Sequence, residues 1–122
     1  MFVIYRFLQV RYEDLGLHTE VVAKKIFKFL DLTYTSSVAR FVKDHTSLTS
    51  NGIHKKKVST YNTFRDSRTT TFAWRKGLSF SEVQNIQNFC GESLKKLKLN
   101  VFENENQYTN ANISVLADEQ IF

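Results

Sequence analysis

The sequence predicts an incomplete α/β fold with one main strand, about three helices and a long basic loop. Three observations carry this. Residues 2–11, FVIYRFLQVR, are rich in Val, Ile, Phe and Tyr and alternate only loosely, as in a strand buried on both faces of a parallel sheet. Three later segments space their apolar residues at helical intervals. A lone parallel strand cannot satisfy its own backbone groups, so it must pair with strands this sequence does not supply. The 122 residues therefore read as the C-terminal part of a larger α/β domain over residues 1–100, with a polar tail over 101–122.

The strand ends at Tyr12, and EDLGLHT connects it to the first helix, EVVAKKIFKFLDL. There Val22, Ile26 and Leu30 fall four apart beside Ala23 and Phe27, while Lys24, Lys25 and Lys28 take other faces. A second, shorter helix starts after the hydroxyl cluster Thr35–Ser37, with Val38, Phe41 and Val42 inward. Residues 47–71 lose both periods and read as a long loop, of a length that in a compact domain is usually functional or disordered. Ser79 and Glu82 form an S-x-x-E capping box for a third helix, which should bury Val83, Ile86, Cys90, Leu94 and Leu97. From Asn100 the chain turns polar and acidic and reads as poorly packed until ISVL. Asn112-Ile113-Ser114 fits a glycosylation sequon.

The formal charge is +5, and its placement is uneven. Residues 51–77 carry a net +6 while the remainder is slightly acidic, which points to an anionic partner. Cys90 is the only cysteine, so no intrachain disulfide can form. No apolar run reaches the ~18 residues of a membrane span. The opening MFVIY is too short for a signal-peptide core.

Ligands of open α/β sheets bind beyond the carboxyl ends of strands, where Tyr12 stands; its ring could lie along a base or simply pack. Arg75, Lys76 and Gly77 precede the third helix. Arg75 offers a fork that matches a phosphate, Lys76 a mobile charge, and Gly77 close backbone approach. Together they read as a phosphate cradle, with Ser79 and Glu82 occupying some of the N–H groups of the helix tip. Trp74 either stacks on a base or anchors the turn. His18, His45 and His54 lack metal-ligand spacing, so no metal is assigned. No P-loop, G-x-G-x-x-G or nucleophile elbow is present, and no catalytic residue is assigned.

Three stretches, VRYEDL (10–15), DHTS (44–47) and WRKGLS (74–79), resemble in order and spacing the C-terminal part of the sulfotransferases that use 3′-phosphoadenosine 5′-phosphosulfate (PAPS). With VVAKKIFKFLDL, SVARFVKDHT, TFRDSRTTTFAWRKGLS and VQNIQNFCGESLKKL between and after them, the likeness is to the Golgi carbohydrate sulfotransferases acting on sugar 6-hydroxyls. It covers roughly residues 8–100. The resemblance implies the C-terminal portion of a P-loop-like, parallel-sheet domain. It also implies that Tyr12 and Thr46 lie against the adenosine and that Arg75, Lys76 and Gly77 close on its 3′-phosphate. Trp74 with Arg75, and Thr63, Arg65 and Ser67 just upstream, match patterns of the carbohydrate branch. The implied partners are PAPS as co-substrate and a glycan acceptor, with no nucleic acid; a homo-oligomer is left open. The implied location is the lumenal side of the Golgi membrane, through an N-terminal anchor that this chain lacks. The family's main phosphosulfate loop and catalytic acid/base belong upstream of these residues, so the segment alone is expected to be inactive. The alternatives are a basic, aromatic-rich module binding nucleic acid or sulfated glycan, and a non-catalytic partner of a full-length enzyme.

Overall fold

A computed structural model describes residues 6–47 and 65–118. The chain divides into two compact units, residues 1–71 and 72–122.

The first unit opens with an element absent from the sequence reading. Tyr12–Leu17 forms a short helix, α1, where a connection was expected. Its start is fixed by a buried ion pair: Arg11 Nε and Nη2 donate to Asp14 Oδ2 and Oδ1 at 3.0 and 2.7 Å. Both residues are buried, so the two-pronged geometry offsets the desolvation of each charge. The strand expected over residues 2–11 is not found: among the described residues, 6–11 form no ladder, and residues 1–5 lie outside them. The reason is the one that made the strand incomplete, since among the described residues no partner strand takes its N–H and C=O groups.

Thr19–Phe29 (α2) follows directly. Val22 and Ala23 are buried as the periodicity required, whereas Leu30 remains exposed. Its end is a Schellman closure in which Leu32 N donates to Phe27 O at 2.8 Å and Asp31 N to Lys28 O at 3.2 Å. Asp31 supplies the left-handed residue at φ 56°. Ser36–Thr46 (α3) begins at Thr35, whose hydroxyl accepts from Val38 N. Of its expected inner residues, Val38 and Val42 are half-buried but Phe41 is exposed, its ring stacked on His45 at 3.9 Å.

The segment expected to be an unbroken loop over 47–71 ends in helix Ser67–Thr71 (α4). Asp66 starts it by accepting from Thr69 N at 2.9 Å, a short-range side-chain bond of the N-cap type. Helix α4 packs closely on α1. Ser67 Oγ donates to Gly16 O at 2.8 Å, and a Cβ on Gly16 would press into Thr71 Oγ1 and lie 3.0 Å from Thr71 Cβ.

The second unit begins with a single helical turn, Trp74–Gly77 (α5), followed by Phe80–Lys96 (α6). The capping box is fully formed: Ser79 Oγ accepts from Glu82 N, while Glu82 Oε2 accepts from Ser79 N and Oγ at 2.8 Å each. Those bonds hold the Glu82 carboxylate below the usual range. A carboxylate depressed in this way adds stability above its unfolded value and loses it as pH falls through the folded one. Ser79→Ala is expected to cost about 1 kcal/mol in denaturant unfolding. Glu82→Gln, which keeps an acceptor, should flatten the acid limb of a stability–pH curve; an unchanged limb would count against this cap.

The five-residue stripe expected on α6 is only partly buried. Val83 is in the core, but Cys90 and Ile86 are exposed and Phe89 is 91% exposed. The core is completed by the stretch expected to be poorly packed. Phe102, Tyr108 and Val115 are buried with Val83, and Trp74 and Leu78 pack against them. Gln87 brackets Phe102 as a strand would, donating to its carbonyl at 2.9 Å and accepting from its amide at 2.8 Å. Glu105–Thr109 (α7) is capped by Asn104. An isolated antiparallel bridge, Leu99 to Leu116, ties the two ends of the tail together.

Candidate functional site

Helix α5 carries the four consecutive residues singled out from the sequence. Trp74 is half-buried and stacks on Tyr108, ring centroids 6.3 Å apart and planes at 27°. It is an anchor, one of the two fates the sequence allowed. Lys76 and Gly77 are exposed. A Cβ built on Gly77 meets nothing within 4 Å, so the fold itself does not need glycine there.

Arg75 departs from the expected phosphate fork. Its Nε donates to Tyr108 O at 2.7 Å, Nη1 to Ile113 O at 2.7 Å, and Nη2 to Gln107 O at 3.2 Å and Asn110 O at 2.8 Å. Four of the five guanidinium N–H groups are thus spent on carbonyls of α7 and the loop after it. The cation also sits 4.7 Å from the Phe102 ring centroid and 5.9 Å from that of Tyr108. In return, Tyr108 Oη lies 2.8 Å from both Arg75 O and Leu78 O, and burial pushes its hydroxyl pKa up. The arginine therefore shapes the turn, leaving Lys76 as its exposed cation. The side chains of α5 and the tail enclose an open cleft of about 530 Å³ that includes Lys76, Phe72 and Asn112.

Tyr12 and Thr46 belong to the first unit. The Tyr12 ring is 59% exposed. Thr46 Oγ1 donates to Val42 O at 2.7 Å, so what remains for a ligand is its acceptor capacity. It borders an open cleft of about 310 Å³ with Thr19, Asp66, Ser67 and Arg68; Tyr12 is not among the lining residues. Ser67, expected on the ligand side, is committed to the fold through Gly16 O and lies 3.3 Å from Thr19 Oγ1. Arg65 is exposed, its amide bonded to His45 O at 3.1 Å. Thr63 lies outside the described residues. Sequence reasoning missed Arg68 as a neighbour of Thr46; the basic run containing it was the available signal.

The ordered motifs of this chain are those of a sulfuryl-transfer domain. Residues 3–98 match the family model described as Sulfotransferase domain, and the chain belongs to that family. It is 31% identical over 114 residues to carbohydrate sulfotransferase 1 of Homo sapiens, covering 93% of this chain and 26% of that protein. Carbohydrate sulfotransferase 5 of Mus musculus is 29% identical over 92 residues, 75% of this chain and 23% of the relative. Carbohydrate sulfotransferase 3 of Tetronarce californica is 24% identical over 117 residues, 96% of this chain and 25% of the relative. The chain thus spans about a quarter of the length of the curated relatives it matches. No solved structure matches it. Membership agrees with the α/β class expected, although the single strand is not seen among the described residues.

Proposed function

We propose that this chain is the C-terminal segment of a PAPS-dependent carbohydrate sulfotransferase that transfers sulfate to a sugar 6-hydroxyl in the Golgi lumen. The observation that carries the proposal is the α5 turn: an exposed lysine and a glycine facing open space, on a backbone that Arg75 and Tyr108 hold in place. In the first unit, Tyr12 would lie along the adenine, and Thr46, its proton already donated, would accept from the exocyclic amine. In the second, Lys76 and the Gly77 backbone would meet the 3′-phosphate, with the one unspent N–H of Arg75 in support. Arg65 would extend the basic surface towards the nucleotide, Thr63 would contribute a hydroxyl, and Ser67 would act through the packing of α4. No metal is part of this reading.

The sugar hydroxyl attacks sulfur in line, the bond between sulfur and the phosphate oxygen breaks, and adenosine 3′,5′-bisphosphate leaves. Cations near the nucleotide stabilise the charge that grows on the departing oxygen. None of the residues here is assigned the hydroxyl proton, so the segment alone should bind the bisphosphate without turning over PAPS.

The test is calorimetric titration of the chain with adenosine 3′,5′-bisphosphate. Lys76→Met should weaken binding roughly 10- to 100-fold, the worth of one charge-assisted contact. Gly77→Ala should weaken it too while leaving the melting temperature unchanged, because the new methyl collides with ligand and not with protein. Equal affinities for all three proteins would refute the placement. Tight, salt-sensitive binding of random oligonucleotides that the bisphosphate does not compete away would favour the nucleic-acid module instead.

A further inference from the structure

We infer that Asn112 is an N-glycosylation site, an inference that rests on the lumenal placement proposed above. Asn112-Ile113-Ser114 is the one N-x-S/T triplet in the chain. A triplet alone is a weak signal, and the fold supplies what it lacks. Ile113 N donates to Asn110 O, and Asn112 N to Asn110 Oδ1, each at 3.0 Å. These bonds form a tight turn that pushes Ala111 and Asn112 outwards. Asn112 and Ser114 are exposed, while Ile113 between them packs against the buried cluster of the second unit.

The Asn112 carboxamide makes no hydrogen bond with any described residue, so a glycan on its nitrogen displaces nothing. Ser114 Oγ accepts from Leu116 N at 3.0 Å, which leaves its hydroxyl proton uncommitted. The turn is also held from below, since Arg75 binds the carbonyls of Asn110 and Ile113. A sugar attached here would stand at the rim of the cleft that contains Phe72 and Val115 and would cover part of its apolar wall.

The co-substrate class is a lipid-diphosphate-linked oligosaccharide, handled by a membrane transferase. Asn112 Nδ2 attacks the anomeric carbon, and a carbon–nitrogen bond forms. The bond from that carbon to the diphosphate oxygen breaks, the diphosphate leaves with the electron pair, and the amide proton passes to a base of the transferase.

The full chain is expressed behind a cleavable secretion leader in animal cells, in parallel with isolation of the protein from its own cells. Both samples should show a mobility shift that peptide N-glycosidase F removes, with conversion of Asn112 to Asp read by peptide mass spectrometry. In the leader-bearing chain the shift should vanish in Asn112→Gln and Ser114→Ala and persist in Ser114→Thr. Melting curves of Asn112→Gln should match the deglycosylated parent, since that side chain makes no hydrogen bond with any described residue. An unmodified Asn112 in the leader-bearing chain overturns the inference itself. Modification there with none on the protein from its own cells overturns the lumenal placement, and with it the inference for the native protein.

Discussion

Arg75→Met should destabilise the second unit by at least about 3 kcal/mol. Each hydrogen bond to a charged group contributes roughly 1.5–3 kcal/mol net, and an acceptor left buried without a partner costs a comparable amount. Methionine keeps much of the aliphatic stem but leaves the carbonyls of Gln107, Tyr108, Asn110 and Ile113 without their common donor. The cation above Phe102 and Tyr108 is lost as well. Arg75→Lys should recover only part, because an ammonium has three donors and no planar fork. Trp74 is the single tryptophan of the chain and stacks on Tyr108, so its fluorescence reports unfolding of this unit directly. If Arg75→Met lost bisphosphate affinity at an unchanged denaturant midpoint, the guanidinium would be a ligand fork after all and the clamp would be refuted.

The second large effect is expected at Gly16. In Gly16→Ala the added methyl would overlap Thr71 Oγ1 and crowd Thr71 Cβ and Cγ2 at 3.0 and 3.3 Å. Thr71 is 1% exposed, and its hydroxyl already donates to Ser67 O at 2.6 Å, so it has little room to withdraw. Overpacking of this kind costs about 1–3 kcal/mol, and the upper end is expected because both sides of the contact are backbone-near. Thr71→Ala should rescue part of the loss in the double variant by removing the two nearest branches. The cycle would then show a coupling energy of favourable sign, as contacting residues do. Simple additivity of the two substitutions, measured by thermal melts, would show that α1 and α4 do not meet there.

What could be read from the sequence was what local chemistry decides. Thr35 and the pair Ser79 and Glu82 announced two helix starts, because a side-chain oxygen that caps its own amides needs nothing from the rest of the fold. Val22 and Ala23 revealed the inner face of α2 by period alone. Helix α1 escaped notice because Tyr12–Leu17 contains a glycine and only one full turn of pattern, and its organising feature is a buried charge pair that composition reads as surface. The α6 stripe shows the opposite failure: periodicity records that Ile86 and Cys90 are apolar, not whether anything covers them. The geometry of the α5 turn was half legible. Lys76 and Gly77 stand open as expected, but the acceptors that occupy Arg75 lie 32 to 38 residues further on, in a tail whose polar letters hid three core residues.

That separation has a consequence for biogenesis. A ribosome adds roughly 5–20 residues per second, so Arg75 is polymerised roughly 2–8 seconds before its carbonyl partners. During this interval Arg75 can be satisfied only by water, and the turn acquires its shape as residues 107–113 arrive.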